Sequence, residues 1–280
     1  MTCIRPHKKI LYPLASLGAL VLVWHLVVAL ELVPHYLLPS PVEVVFALIN
    51  EFCLLVMHAQ TTLVEALLGL AIGVVLAVIC AIIMDRFEGF YLAFEPLATL
   101  SQTIPTIAIA PLLVLWFGYG LLPKIILVIL TSFFPVLVSF VSGLASVDHD
   151  MIDLMRIMHA SRWQIFWHVK MPAALEQFFA GLSIAAAYAI VSAVIAEWLG
   201  GIAGLGVYMT RVRKSFAYDR MFASIIVISS LSLLLMAAMR GLAYVGMPWK
   251  HRETQRSGRE THAAGQEEHR STQSNANQQR

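Results

Sequence analysis

Runs of about twenty apolar residues recur along this chain, and no other feature restricts its fold as much. An α-helix rises about 1.5 Å per residue, so about 20 residues cross the ~30 Å hydrocarbon core of a bilayer. Inside that core every backbone N–H and C=O needs a partner, and a helix supplies all of them within one segment. Runs of this length lie at Ile10–Leu30, Leu63–Met84, Leu97–Phe117, Ile125–Ser146, Phe178–Ala196 and Met221–Met239. The expected fold is an all-α membrane protein with about six transmembrane helices. Composition agrees: 13% of residues are charged, against roughly 25% in soluble domains. A net charge of +2 argues against nucleic acid as a partner.

The basic start, with Arg5, Lys8 and Lys9, leads into an apolar run that is long for a cleavable signal and has no clear small-residue cleavage site. A retained first helix is expected, with His25 interfacial or facing the bundle. Pro34, Pro39 and Pro41 then break the chain. Val42–Val56, interrupted by Glu43, Asn50 and Glu51, reads as an interfacial helix. The tail Lys250–Arg280 has almost no apolar residues and is expected to be disordered. Cys3, Cys53 and Cys80 lack metal or redox spacing and read as packing or incidental residues. Basic residues favour the cytoplasmic side, which places both termini there. The vote is about seven to five, because Arg211, Arg213, Lys214 and Arg220 fall in an outer loop.

The stretch "DLMRIMHASRWQIFWHVKMPAAL", residues 153–175, interrupts this apolar text between the fourth and fifth runs. Asp150 is placed to cap a first helix over Met151–Met158, with Asp153 favourable to its dipole. The chain breaks at His159–Ala160. Ser161-Arg162-Trp163-Gln164 fits the capping box S-x-x-Q and starts a second helix. Pro172 is placed to stop or bend that helix. Two capped helices in a cytoplasmic loop read either as a rigid docking surface or as an ordinary amphipathic interfacial loop.

Other residues stand out within the spans. Pro105 and Pro111 interrupt the third run and read as kinks, either in a packing helix or in a wall of the pathway. Gly181, Ala185, Ala189 and Ala193 form a small-residue ridge that allows close helix contact. Glu197 ends that ridge. It reads as a gate residue, a partner for Arg211, or an interfacial glutamate. Glu65 reads as interfacial, and Gly69-x-x-x-Gly73 as a packing motif. The glycine cluster "GGIAGLG" reads as a tight re-entrant or outer loop near a gate, or equally as a plain turn. It lacks the lysine of a phosphate loop, and no G-x-x-x-x-G-K-[ST] occurs in the chain. His149, His159 and His168 are not spaced as an i, i+4 metal pair, which leaves a membrane enzyme the weakest reading. A secondary carrier working alone would show inverted halves, and no such symmetry is visible.

Residues 153–175 resemble the EAA loop of ABC importer permeases, whose pattern is E-A-A, three residues, G, nine residues, I-x-L-P. Asp153-Leu154-Met155 stands at E-A-A, His159 at the glycine, and Val169-Lys170-Met171-Pro172 at I-x-L-P. "HASRWQIFWHVKMPAALEQFFAGL", "SQTIPTIAIAPLLVLWFGYGLLPKIILVILTSFFPVLVSFVSGL" and "AVIAEWLGGIAGLG" continue the likeness to the branch serving nitrate, sulfonate, taurine and thiamine-pyrimidine precursors. The "FGYGLLPK" junction leans toward the thiamine-pyrimidine-precursor subgroup; a sulfonate, taurine or nitrate importer is the alternative. The resemblance implies a type I ABC importer transmembrane domain over 59–247, preceded by an N-terminal helix and interfacial segment over 1–58 and followed by the polar tail over 248–280. It implies a bacterial inner-membrane, multi-pass subunit that is not an enzyme and has no cofactor of its own. ATP and Mg would be bound by a separate cytoplasmic ATPase. The other implied partners are a periplasmic or lipid-anchored substrate-binding protein, a second permease copy and membrane lipid. Asp153, Met155, His159, Ala160, Ser161, Arg162, Trp163 and Pro172 would form the ATPase-coupling loop. Pro105, Pro111 and Glu197 are the candidates for pathway or gate; no metal site is expected. Histidine at the glycine position would strain a left-handed helix end by about 1 kcal/mol.

Overall fold

Residues 6–34, 37–101 and 103–247 are described by the computed structural model. They form helices joined by short turns, and no strand occurs among them. The tail from Lys250 lies outside the described residues, as does Cys3.

Helix α1 spans Pro6–Ala29, α2 Pro41–Asn50, α3 Phe52–Arg86, α4 Glu88–Ser101, α5 Thr106–Phe117 and α6 Leu121–Ala145. Then come α7 (His149–Ile157), α8 (Arg162–Ile165), a π-helical turn (Phe166–Lys170), α9 (Met171–Gly200), α10 (Leu205–Lys214) and α11 (Tyr218–Gly246). Four segments are long and apolar enough to cross a bilayer: α3, α6, the continuous helix Arg162–Gly200, and α11. The bent pair α4–α5 supplies a fifth if it counts as one span. In α1 the apolar stretch Leu14–Ala29 is shorter, and its His25 is exposed.

The core forms where α3, α6 and α9 meet, with α11 against α9. Small residues set the distance between these helices. Gly181 lies against Ser139 and the Pro135 carbonyl, and Ala185, Ala189 and Ala193 are fully buried along the same ridge. On α3, a Cβ at Gly73 would stand 2.5 Å from Ser132 Oγ, a spacing that only the hydrogen of glycine permits. Both small-residue stripes read from the sequence are therefore packing seams.

Three expected elements take a different form. The third run is not one kinked helix: α4 and α5 meet at 99°. Pro105 is the N-cap of α5, with φ −64° and ψ 119°, so its ring ends the first half outright. The interfacial segment stops at Asn50, and residues 52–56 already belong to α3, which runs on for 35 residues. Ser40 and Glu43 start α2 with a reciprocal capping box that the cluster of prolines hides. Pro172 neither stops nor bends the chain appreciably, because 39 residues from Arg162 to Gly200 form one helix. The π turn before it, with Met171 N–H donating to Phe166 O, shifts the hydrogen-bond register where the donor-less proline enters.

Candidate functional site

The two ends of the bundle carry different chemistry. At one end, α7 and α8 form a compact two-helix loop. Asp148, not Asp150, caps α7: its carboxylate accepts the Asp150 N–H at 3.0 Å. Both aspartates suit a cap, and the helix starts two residues earlier than the sequence suggested. His159 follows the end of α7 at φ 58°. Its N–H donates to Arg156 O at 2.9 Å and the Ala160 N–H to Met155 O at 3.0 Å, which is a Schellman ending. The strain at this glycine position is thus accepted, and the two helices join in the glycine-like geometry.

Ser161 opens α8 with the capping box expected. Ser161 Oγ accepts the Gln164 N–H at 3.3 Å, and the Ser161 N–H donates to Gln164 Oε1 at 2.8 Å. Val147, Ile152 and Ile165 make a small core between the two helices, with Met155, Ala160 and Val169 packed on it. The loop is stiff for these reasons, and what it leaves outside is specific. Asp153 pairs with Arg156 on the surface at 3.0 Å. Arg162 is exposed, and Trp163 is 63% exposed with its ring stacked on Phe166. Pro172 lies half-buried in α9, apart from that surface. Lys170 bonds Asp85 at the end of α3 at 2.6 Å, fixing the loop to the bundle. A cavity of about 900 Å³ opens between them, lined by Arg86, Arg156, Arg162, Trp163 and Phe166 among others.

At the other end lies a buried polar node. Arg162 and Glu197 sit on one continuous helix, separated by roughly 50 Å at about 1.5 Å per residue. Glu197 is 1% exposed. Its carboxylate accepts the Thr62 hydroxyl at 2.7 Å and the Gly206 N–H at 2.5 Å. Thr62 Oγ1 accepts the Leu205 N–H at 2.9 Å, and His58 Nδ1 accepts the Gly204 N–H at 3.1 Å. Beside this node Glu65 accepts the Lys124 ammonium at 2.6 Å, both side chains buried. Glu65 is thus not interfacial, and Glu197 neither snorkels nor pairs with Arg211, whose guanidinium instead donates to Ile202 O. Tyr208 packs on His58, and burial pushes its phenol up to about 12.

The glycine cluster 200–206 is therefore the lid of this node and leads directly into α10. Pro105, at the N-cap of α5, and Pro111 within it are exposed, while their neighbours Ala110 and Leu113 pack in one cluster with Ala196 on α9. The sequence reading missed His58, Thr62 and Lys124. A lysine four residues into an apolar helix was the one local signal.

Residues 73–243 match the family described as binding-protein-dependent transport system inner membrane component. The chain belongs to that family. As a permease of this kind it is the membrane subunit of an ABC importer and not itself an enzyme. A probable ABC transporter permease of Haemophilus influenzae is 38% identical over 81% of this chain and 93% of its own length. The formylaminopyrimidine transport permease ThiX of Halalkalibacterium halodurans is 36% identical, covering 78% of this chain and 88% of its own. The taurine transport permease TauC of Escherichia coli is 30% identical, covering 89% and 92%. Among solved structures, the inward-facing MetNI methionine transporter shares the fold, with a TM-score of 0.60 at 17% identity over 70% of this chain and 97% of that one.

Proposed function

We propose that this permease is driven by a separate cytoplasmic ATPase that grips the loop Asp153–Trp163. The observation that carries this reading is a loop braced from within by two caps and a small core, while Arg162 and Trp163 point outward. A rigid surface with an aromatic and an arginine anchor is the composition of a binding hot spot, and an unbraced loop would absorb force instead of passing it on. His159, Ala160 and Ser161 hold the angle between the two helices. Met155 joins their small core. Pro172 keeps its place at the π turn through which the rod continues.

In this reading the ATPase binds ATP and Mg, two permease copies face each other across the pathway, and a substrate-binding protein delivers cargo on the opposite side. Both termini are cytoplasmic. The α4–α5 break at Pro105, with Pro111 beyond it, supplies irregular backbone of the sort tolerated only along a protein or water-lined wall. The cargo is a small pyrimidine, a thiamine precursor, supported by the ThiX relative; a taurine-like sulfonate is the second candidate, supported by TauC.

The test is co-purification in detergent with the ATPase encoded beside this gene. The wild type is expected to hold it, and the double variant Arg162→Ala, Trp163→Ala to release it while remaining folded. A wild type that binds no ATPase would sink the coupling reading and leave a lone, ion-driven carrier to be tested. Uptake of radiolabelled formylaminopyrimidine against taurine in cells lacking other importers separates the two cargoes.

A further inference from the structure

The N-terminus of α10 has an unusual set of caps. The first turn of a helix leaves its amides without intrahelical acceptors, and turns or water usually fill them. Here three successive amides, from Gly204, Leu205 and Gly206, are each taken by a buried side chain of a membrane-spanning helix. His58 and Thr62 come from α3, and Glu197 from the far end of α9. The Glu197 carboxyl makes the shortest of the three bonds, at 2.5 Å from the Gly206 N–H, and an acceptor at a helix N-terminus also gains from the dipole. Space is shaped to match: Gly204 holds φ 120°, and a Cβ there would run into the Glu197 carboxyl. Exchange of that glycine for any other residue would therefore break the joint.

The other end of the same helix carries the loop. From Arg162 to Gly200 the helix is unbroken, so a displacement of the loop reaches Glu197 without a hinge. We propose that Glu197 is a positioning residue for transport: it fastens α10 to the rod that the coupling loop moves, so that α10 shifts with each ATPase stroke. Thr62 completes the joint by bonding both Glu197 and α10 and thereby brings α3 into register with the movement. The proposal rests on the coupling reading above and adds the element that reports the stroke on the opposite side.

The test uses the full permease in lipid nanodiscs, alone and with its ATPase. In the permease alone, Glu197→Ala is expected to speed hydrogen exchange of residues 204–215 at least severalfold while exchange of residues 149–165 stays as in the wild type. For the complex, Cys3, Cys53 and Cys80 are replaced by serine and Ile202, 82% exposed, becomes the single cysteine (Ile202→Cys). Its rate of modification by a membrane-impermeant maleimide should change on trapping with ATP and vanadate. Adding Glu197→Ala should abolish that change while ATP hydrolysis continues, an uncoupling that a purely structural glutamate would not produce. Thr62→Val, which removes the hydroxyl's bonds to Glu197 and to the Leu205 N–H and leaves the Glu197–Gly206 bond in place, should reduce the change and serves if Glu197→Ala does not fold. Unaltered exchange at 204–215, or a nucleotide response that survives both variants, overturns the proposal. A wild-type complex with no ATP hydrolysis overturns the coupling reading instead, and the exchange measurement then decides the joint on its own.

Discussion

His159 shows how a single side chain can be worse than its alternative and still be kept. It ends α7 in the left-handed region at φ 58°, where glycine would be free of strain. Replacing it by glycine relieves about 1 kcal/mol, part of which returns as greater entropy of the unfolded chain. His159→Gly is therefore expected to slow hydrogen exchange at the amides of residues 159 and 160, and faster exchange would show that the imidazole makes a contact that outweighs the strain. Lys124 presents the opposite case. Its ammonium is the direct partner of the buried Glu65, and removing one member of a buried pair leaves a charge without compensation, at about 3–5 kcal/mol. Lys124→Met should lower stability to chemical unfolding in mild detergent by that order, and adding Glu65→Gln should restore most of it. If the double variant is no better than the single one, the ion pair is not the reason. These two residues also mark what was legible. The capping box at Ser161 follows from a neighbour three positions away and could be read directly, whereas the left-handed turn at His159 was only one of two outcomes that its place at the family's glycine left open. Glu65 and Glu197 could not, because their partners lie 59 and 135 residues distant, and no local pattern announces which face of a span will meet which.

Among the elements, periodicity and length located every long helix, because apolar runs of this size have one low-energy form in a bilayer. Their ends were harder to read. Helix α3 swallows part of the segment expected to lie at the interface, since a few apolar residues at 52–56 extend a span as readily as they cover a membrane surface. The third run broke at Pro105 where a kink was expected; proline removes a bond in either case, and only the packing of both halves decides the angle. The small-residue stripes fared better, because absence of a side chain is a property that the sequence states outright. That permits a sharp test of the α3–α6 seam. Gly73→Ala puts a methyl against Ser132 Oγ and should cost about 1–3 kcal/mol as overpacking. Ser132→Ala removes the obstructing atom, so the double variant should recover most of the loss in a mutant cycle read by thermal unfolding. Additive losses would mean that the helices are held apart by something other than this contact.

Across the whole molecule, charge and architecture give different votes on orientation. Basic residues are spread almost evenly between the two ends, and Arg211, Arg213 and Lys214 cluster in the last turn of α10, which the proposed topology puts outside. A helix end rich in cations suits its own dipole, and Arg220 is neutralised by Glu51 at 3.0 Å. These local uses weaken the charges as topology signals without reversing them. Under the proposed coupling the loop at the other end is the stronger vote, because a surface that meets a soluble ATPase has to face the cytoplasm. Two single-cysteine chains test this directly: Met158→Cys, 69% exposed within the proposed coupling loop, and Ile202→Cys beside α10. In intact spheroplasts an impermeant maleimide should modify the cysteine at 202 and reach that at 158 only after permeabilisation. The reverse pattern would place Arg162 and Trp163 outside the cell, where no ATP is available to a partner, and the coupling loop would then have to be a docking surface for the substrate-binding protein.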